Sequence, residues 1–160
     1  MKQFGIGLLL TIGVGFMLAG CSTKDQVTSV EYNYSLQEAA KVYQEETGEN
    51  EVKSILFDMV DHKYQYIFTN EQNDHIVIDA QDAAISQMEK EDENNYQLYS
   101  LEEVPKLKEV NDVLAEAKEK VGGLSPRTLT WELVKKDGQL KFKIDVKTTT
   151  ADEWVELPAK

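Results

Sequence analysis

Apolar and polar residues alternate with two different periods in the stretch from Ser35 to Ala80. A stripe at helical spacing comes first, and Gly48 follows it as a stop signal. Strict alternation comes next, in three short runs that predict strands. The helical stripe is Leu36, Ala39, Ala40 and Tyr43, and the alternating runs are Ile55, Phe57 and Met59, then Tyr64, Tyr66 and Phe68, then Ile76 and Ile78. The stretch therefore predicts one helix followed by three strands.

The same order of patterns returns about 74 residues later. Leu36 and Gly48 then align with Val110 and Gly122, and Phe57 aligns with Trp131, which begins a second set of alternating runs. Few residues are identical, but the apolar pattern matches across four elements. This repetition predicts a duplicated α-β-β-β unit. We expect an α+β fold in which each helix packs on a three-stranded antiparallel sheet.

The chain divides into five segments on this reading. The stretch 82–90 has Ala84, Ile85 and Met88 on one helical side, which predicts a short connector helix, and acidic residues follow it as a solvated loop. The segments are 1–20, a leader; 21–34, a polar tether; 35–80, the first unit; 81–99, the connector of short helix and acidic loop; and 100–160, the second unit.

The leader has the anatomy of a secretory signal: Lys2, then an apolar run over Ile6–Leu18, then small residues before Cys21. The run is too short and too rich in glycine to favour a membrane-spanning helix. The ending Leu-Ala-Gly-Cys resembles a bacterial lipobox, in which the cysteine is lipidated and becomes the mature N-terminus. Cys21 is the only cysteine, and a lipid would account for a lone thiol in an exported protein. We expect a chain anchored to a bacterial cell membrane on its extracytoplasmic side.

Charge and composition narrow the classes of function. The chain carries 29 acidic and 17 basic side chains, a net charge of −12, which argues against nucleic-acid binding. Its two histidines, His62 and His75, are predicted to lie at opposite ends of the middle strand, so they cannot share a metal ion. No metal site, cofactor or catalytic motif is predicted, and we expect a protein that is not an enzyme.

One sheet face of the first unit departs from the usual alternation. A solvated face should carry polar residues, as the second unit does, but this face carries four aliphatic residues in phase. They are Leu56, Val60, Ile67 and Val77. We expect the connector helix to cover them through Ile85 or Met88. Docking of the second unit is an alternative, and an open face that binds a partner is another.

The first unit resembles the PepSY domain. The helix opening Ser35-Leu36-Gln37-Glu38-Ala39 and the strand ending Val77-Ile78-Asp79-Ala80 match that family's patterns, whereas Ala83 stands where the family usually has glycine. The second unit is more divergent and has no Asp-Ala pair at its end. The resemblance implies an extracytoplasmic, non-enzymatic module that restrains or assists envelope proteases. Asp79 is expected to be a structural turn residue.

The favoured hypothesis is therefore a lipid-anchored, extracytoplasmic binding or regulatory module with a protein or peptide partner in the cell envelope. The alternative is a structural envelope lipoprotein that acts as a spacer or scaffold in an assembly. The sequence names neither the partner nor the direction of regulation.

Overall fold

The computed structural model describes residues 32–88 and 95–160, with the side chain of Leu129 left out. The predicted leader, the lipidation site Cys21, most of the tether and most of the acidic loop lie outside the described residues. Residues 32–34, which the sequence placed in the tether, pack on the first unit. The Tyr32 ring lies 5.1 Å from the ring of Phe57, and the Tyr34 N–H donates to the Ala80 carbonyl at 3.1 Å.

The first helix, α1 (Leu36–Thr47), is held at its start by a capping box. The Ser35 hydroxyl accepts from the backbone N–H of Glu38, and the Glu38 carboxylate accepts from the backbone N–H of Ser35 at 2.8 Å. These bonds satisfy amides that the first turn leaves unpaired. The helix ends at Gly48, whose φ of 72° lies in the left-handed region that glycine adopts without strain. Both helix ends thus lie where the sequence predicted.

Five strands follow α1 within the described residues up to 88. They are β1 (Glu51–Val52), β2 (Ser54–Val60), β3 (Lys63–Thr69), β4 (His75–Asp79) and β5 (Ile85–Met88). Strands β2, β3 and β4 form the predicted antiparallel meander, with Phe57 opposite Tyr66 and Tyr66 opposite Ile78. The predicted connector helix is wrong, because Ile85–Met88 instead pairs antiparallel with β4. Pairing there satisfies the backbone groups at the edge of β4, which a separate helix would leave open.

The second unit begins with β6 (Tyr99–Ser100) and a 3-10 helix (Leu101–Lys106). The remaining elements are α2 (Val110–Val121), β7 (Arg127–Lys136), β8 (Gln139–Lys147) and β9 (Asp152–Pro158). Strands β7, β8 and β9 form another antiparallel meander. The tight turn at Asp137-Gly138 has positive φ at both residues, as a two-residue hairpin requires.

The two meanders form one continuous antiparallel sheet rather than two separate three-stranded sheets. In the part of the chain that the structure describes, seven strands lie in the order β5-β4-β3-β2-β7-β8-β9, while β1 and β6 form a small sheet of their own. The junction is the antiparallel pair of β2 with β7, in which Phe57 lies opposite Trp131. Joining the meanders here removes two open strand edges at once.

The hydrophobic core lies between the helices and one face of this sheet. Helix α1 contacts β3 and β4, and α2 contacts β7, β8 and β9. At the centre, the Phe57 and Trp131 rings stack with centroids 5.4 Å apart, and Tyr66 and Phe142 meet them at a tilt or edge-on. Trp131 is only 1% exposed. The aromatic residues of the predicted alternating runs, Phe57, Tyr64, Tyr66 and Phe68, lie in this core.

Candidate functional site

A cleft opens at one end of the large sheet, which we call the cleft end, where β2 begins at Ser54 and β8 begins at Gln139. Its wall is the small sheet, in which Glu51 lies opposite Ser100 and Val52 lies opposite Tyr99. Val52 and Tyr99 are buried, so their side chains fasten this small sheet to the core. Glu51 and Ser100 are thereby placed on its open side.

Hydrogen bonds hold the segment before β6 against the β7–β8 hairpin. The buried Tyr99 hydroxyl donates to the Leu133 carbonyl at 3.1 Å. The Gln97 N–H donates to the Lys135 carbonyl at 3.1 Å, and its side-chain oxygen accepts from the Gly138 N–H at 2.9 Å. Gln97 thereby pairs with β7 at Lys135, next to Val134, where the pairing of β2 with β7 ends. The cleft wall is therefore held by hydrogen bonds between residues 97–99 and backbone groups of the β7–β8 hairpin.

The last residues of the chain close the opposite side of the cleft. The Ala159 N–H donates to the Leu140 carbonyl at 3.0 Å, and its own carbonyl accepts from the Lys108 N–H at 2.9 Å. Lys160 forms an ion pair with Glu103 on the 3-10 helix. Hydrogen bonds from Lys160 and Lys106 hold the pKa of the Glu103 carboxyl below its ordinary value.

The cleft has two parts that share Glu51, Leu98 and Ser100. The larger part has a volume of about 610 Å³ and runs beneath the β7–β8 hairpin, with Leu140 and Pro158 in its wall. The smaller part, of about 520 Å³, lies toward the first unit. The shared residues make the two parts one continuous surface between the halves of the molecule.

The smaller part is strongly acidic. Four of its eight lining residues are glutamates and the other four are uncharged. The glutamates are Glu49, Glu51, Glu71 and Glu102. The Tyr43 hydroxyl donates to Glu49, and burial together with this carboxylate raises the pKa of Tyr43 well above its ordinary value. Tyr43 therefore stays a neutral donor that fixes the position of the Glu49 carboxylate.

The larger part differs in character, since it combines charges of both signs with apolar walls. Lys135 and Lys160 line it together with Glu51 and Glu103. Such a surface offers hydrogen-bond acceptors, donors and apolar contact to a polypeptide segment. Among residues 32–88 and 95–160, no group of three or more His, Cys, Asp or Glu side chains is placed to hold a metal ion.

The four aliphatic residues of the predicted face lie on the sheet face that carries no helix. Ile67 and Val77 are 5% and 2% exposed, and Leu56 and Val60 are half-buried. The expected cover by the connector helix is wrong. Ile85 pairs with Ile78 in the sheet, so it lies on the helix face and is 42% exposed, whereas Met88 pairs with His75 and lies on the same face as Val77, within the sheet rather than over it.

The other predicted positions are distributed over the fold. His62 lies in the turn between β2 and β3, whereas His75 begins β4 at the other end of β3. Asp79 forms the predicted turn, because its carboxylate accepts from the Gln81 N–H at 2.8 Å. Cys21 lies outside the described residues.

Sequence reasoning did not single out the cleft residues. Glu49, Glu51, Glu71 and Glu102 are four of 29 acidic residues and come from three separate stretches of the chain, so their spacing carries no signal. The β1–β6 pair and the Leu101 N–H, which donates to the Asn50 carbonyl at 2.9 Å, bring residues 49–51 and 98–102 together. Such a two-residue pairing is too short to be read from alternation.

Comparison with known proteins gives one structural likeness. The crystal structure of a candidate lipoprotein from Clostridium difficile 630 matches with a TM-score of 0.63 and 13% sequence identity, over 84% of this chain and 92% of that one. At this identity the likeness establishes the fold. No protein-family model matches the chain, and no curated protein matches it.

Among the described residues, α1 and α2 are each 12 residues long, and no helix there has the length and apolar character needed to cross a bilayer.

Proposed function

We propose that this protein is a lipid-anchored, extracytoplasmic binding or regulatory module of the bacterial cell envelope. Its leader ends in Leu-Ala-Gly-Cys, which supports lipidation at Cys21. Its fold is similar to that of the candidate lipoprotein from Clostridium difficile 630. The observation that carries the binding role is the cleft between the two halves, whose continuous surface is large enough for a segment of polypeptide.

We propose further that the chain contains two PepSY-like units. One helix followed by a three-stranded antiparallel meander occurs twice, and β2 and β7 occupy corresponding places in the two meanders. The resemblance of the first unit also gains support at its closing turn. Ala83 stands where the family usually has glycine, and its φ of 56° lies in the left-handed region that favours glycine.

The proposed partner is a protein or peptide with basic residues, such as a segment of an envelope protease. Lys or Arg side chains would meet Glu49, Glu51, Glu71 and Glu102, while apolar side chains would rest on Leu140 and Pro158. Complementary charge of this kind speeds association and selects partners more than it adds affinity. Binding should therefore weaken as the salt concentration rises.

The experiment is photo-crosslinking in cells, with a crosslinking amino acid placed at Leu98 in the cleft or at the exposed Gln87 on β5 as the matched control. We expect a discrete crosslinked partner from Leu98 that is lost when Glu51 and Glu102 are both changed to Lys. The matched charge change is Glu116→Lys and Glu119→Lys on the exposed side of α2, which should leave the crosslink in place.

Two results would contradict the cleft as the binding site. One is a Leu98 crosslink that survives charge reversal at Glu51 and Glu102. The other is equal crosslinking from Leu98 and Gln87 into one large assembly, which would favour a scaffold. Lipidation is tested separately, because Cys21→Ala should leave an unprocessed precursor that does not incorporate labelled palmitate.

A further inference from the structure

The large sheet has two ends of different character. At the end opposite the cleft, β2 finishes at Val60 and β7 starts at Arg127, so these neighbouring strands bring their loops to the same end. The chain also joins the fold at this end. The Asn33 side chain donates to the Gln81 carbonyl at 2.8 Å, and Tyr34 bonds to Ala80, just after β4. We call this the tether end.

A loop at the tether end presents the most exposed large apolar side chain of the described residues. Leu124 is 76% exposed. The loop's backbone has positive φ at Gly122, Gly123 and Ser125. A Cβ atom at Gly123 would lie 3.5 Å from the Thr148 side chain, so the loop rests against the turn after β8. Leu124 is thus held outward by a loop that is packed against the body of the fold.

The sequence segment that contains this loop has a net charge of the sign opposite to that of the whole chain. Residues 118–127 contain three basic residues and one acidic residue, whereas the chain has a net charge of −12. The basic residues are Lys118, Lys120 and Arg127. An apolar tip flanked by basic side chains is the arrangement by which interfacial segments bind anionic lipid. The glutamates of the cleft lie at the opposite end of the sheet.

We propose that the loop 122–127 docks on the surface of an anionic membrane, with Leu124 inserted at the headgroup level. This proposal rests on the proposed lipid anchor at Cys21. The docked loop orients the protein so that the acidic cleft faces away from the lipid. Lys120 and Arg127 lie beside the headgroups, while Glu49, Glu51, Glu71 and Glu102 are kept from anionic lipid that would repel them.

The choice of a lipid surface as the partner follows from the reach of the chain. Cys21 and Tyr32 are 11 residues apart, a distance that even a fully extended chain spans in at most about 40 Å. An anchored fold therefore stays within that distance of the bilayer, and its tether end is the end that the chain reaches first. The anchor makes loop docking intramolecular, so a weak contact suffices.

The experiment measures how deeply an environment-sensitive dye lies at each end of the fold. Leu124→Cys provides a single free thiol, since the only natural cysteine carries the proposed lipid. Gln139→Cys, on the exposed hairpin of the cleft end, is the matched control. The labelled, full mature proteins are placed on vesicles of phosphatidylglycerol and phosphatidylcholine, and quenching of the dye by aqueous iodide is measured.

We expect quenching at position 124 to be several-fold weaker than at position 139. The difference should shrink on vesicles of phosphatidylcholine alone, and also when Lys120 and Arg127 are changed to Gln. Equal quenching at the two positions on the anionic vesicles would overturn the proposal. Shielding of position 124 in cell membranes, but not on protein-free vesicles, would also overturn it by assigning the loop to a protein partner.

A second way of attaching the protein to vesicles distinguishes failure of loop docking from failure of the lipid anchor. Flotation of the protein with vesicles reports whether the lipid at Cys21 holds it. If the protein does not float, the anchor fails, and the same dye measurement is made on a chain from Ser22 held by an N-terminal hexahistidine tag on vesicles that contain nickel-chelating lipid. Weak quenching at position 124 then supports loop docking without the native lipid, and equal quenching refutes it.

Discussion

The two halves of the large sheet differ most on the face that carries no helix. In the second half this face is polar, since Lys143 forms an ion pair with Glu132 at 3.1 Å and lies over the rings of Tyr96 and Trp154. In the first half the same face carries the buried aliphatic residues Ile67 and Val77. On this face the second half pairs its charged side chains with one another, although Val134 there is fully buried, whereas the first half gains stability from burial of aliphatic residues.

The two helices differ in how their first turns are capped. Helix α1 has the complete capping box of Ser35 and Glu38. Helix α2 begins after Glu109, for which the structure of residues 95–160 shows no side-chain hydrogen bond to the first turn. The amides of that turn therefore lack the local acceptor that α1 has. The start of α2 depends more on tertiary packing, through Val113 and Leu114, than the start of α1 does.

The two halves therefore differ in how much of their stability comes from local interactions. The core that they share lies at their junction. Trp131 of the second half stacks on Phe57 of the first, and each is buried. Variants at this junction should therefore have larger effects than variants confined to one half.

Trp131→Ala should have the largest effect, a loss of about 3–5 kcal/mol in the free energy of unfolding, because it leaves a cavity at the junction. Trp154→Ala is the matched control, since Trp154 is 55% exposed, and it should change stability little. Urea unfolding of the mature protein measures both. Similar losses for the two variants would show that the stacked junction is not the centre of stability.

Asp79→Ala should lower the free energy of unfolding at neutral pH by about 1–3 kcal/mol, because the Gln81 N–H loses its acceptor. Burial by itself would raise the pKa of Asp79. The hydrogen bond from Gln81 and the ammonium of Lys63, 3.2 Å away, outweigh burial and hold the pKa below its ordinary value.

A lowered folded-state pKa stabilises the protein above the ordinary pKa and loses its effect as the pH falls through the folded value. The wild-type protein should therefore lose its advantage over Asp79→Asn as the pH falls below about 4. Unfolding curves across acidic pH measure this difference. A difference that stays constant, or grows in acid, would contradict the assigned interactions of Asp79.

The caps of the two helices should respond in opposite directions. Ser35→Ala should lower the free energy of unfolding by about 1 kcal/mol, because α1 loses its capping acceptor. Glu109→Ser should raise it by a similar amount, because α2 gains one. Denaturant unfolding of both variants tests the comparison. Loss of stability in Glu109→Ser would mean that Glu109 has a role in the fold beyond starting the helix.

Ala83→Gly should have the smallest effect, a gain of about 0.5–1 kcal/mol, because Ala83 has a φ of 56° and glycine adopts that conformation without strain. Ala84→Gly, at the next position, is the control and should not stabilise. Thermal unfolding measures both. A lower melting temperature for Ala83→Gly would contradict the strain assigned to this turn.

Much of the local structure was decided by the sequence itself. Alternation at Ile55–Met59 and Tyr64–Phe68 predicted β2 and β3, and the Ser35–Glu38 pair with Gly48 marked both ends of α1. These signals are local, because side-chain period and capping chemistry act within a few residues. The same reasoning failed at Ile85–Met88, since a run of four residues fits a helix or a strand equally well.

Only the tertiary structure decided how these elements combine. The pairing of β2 with β7 turned two predicted sheets into one, and the pairing of β4 with β5 made a strand of the expected helix. The cleft arose from the contact of Glu51 with Ser100, 49 residues apart in the chain. Such choices depend on which open edges and apolar faces find each other in space, and no local pattern carries that information.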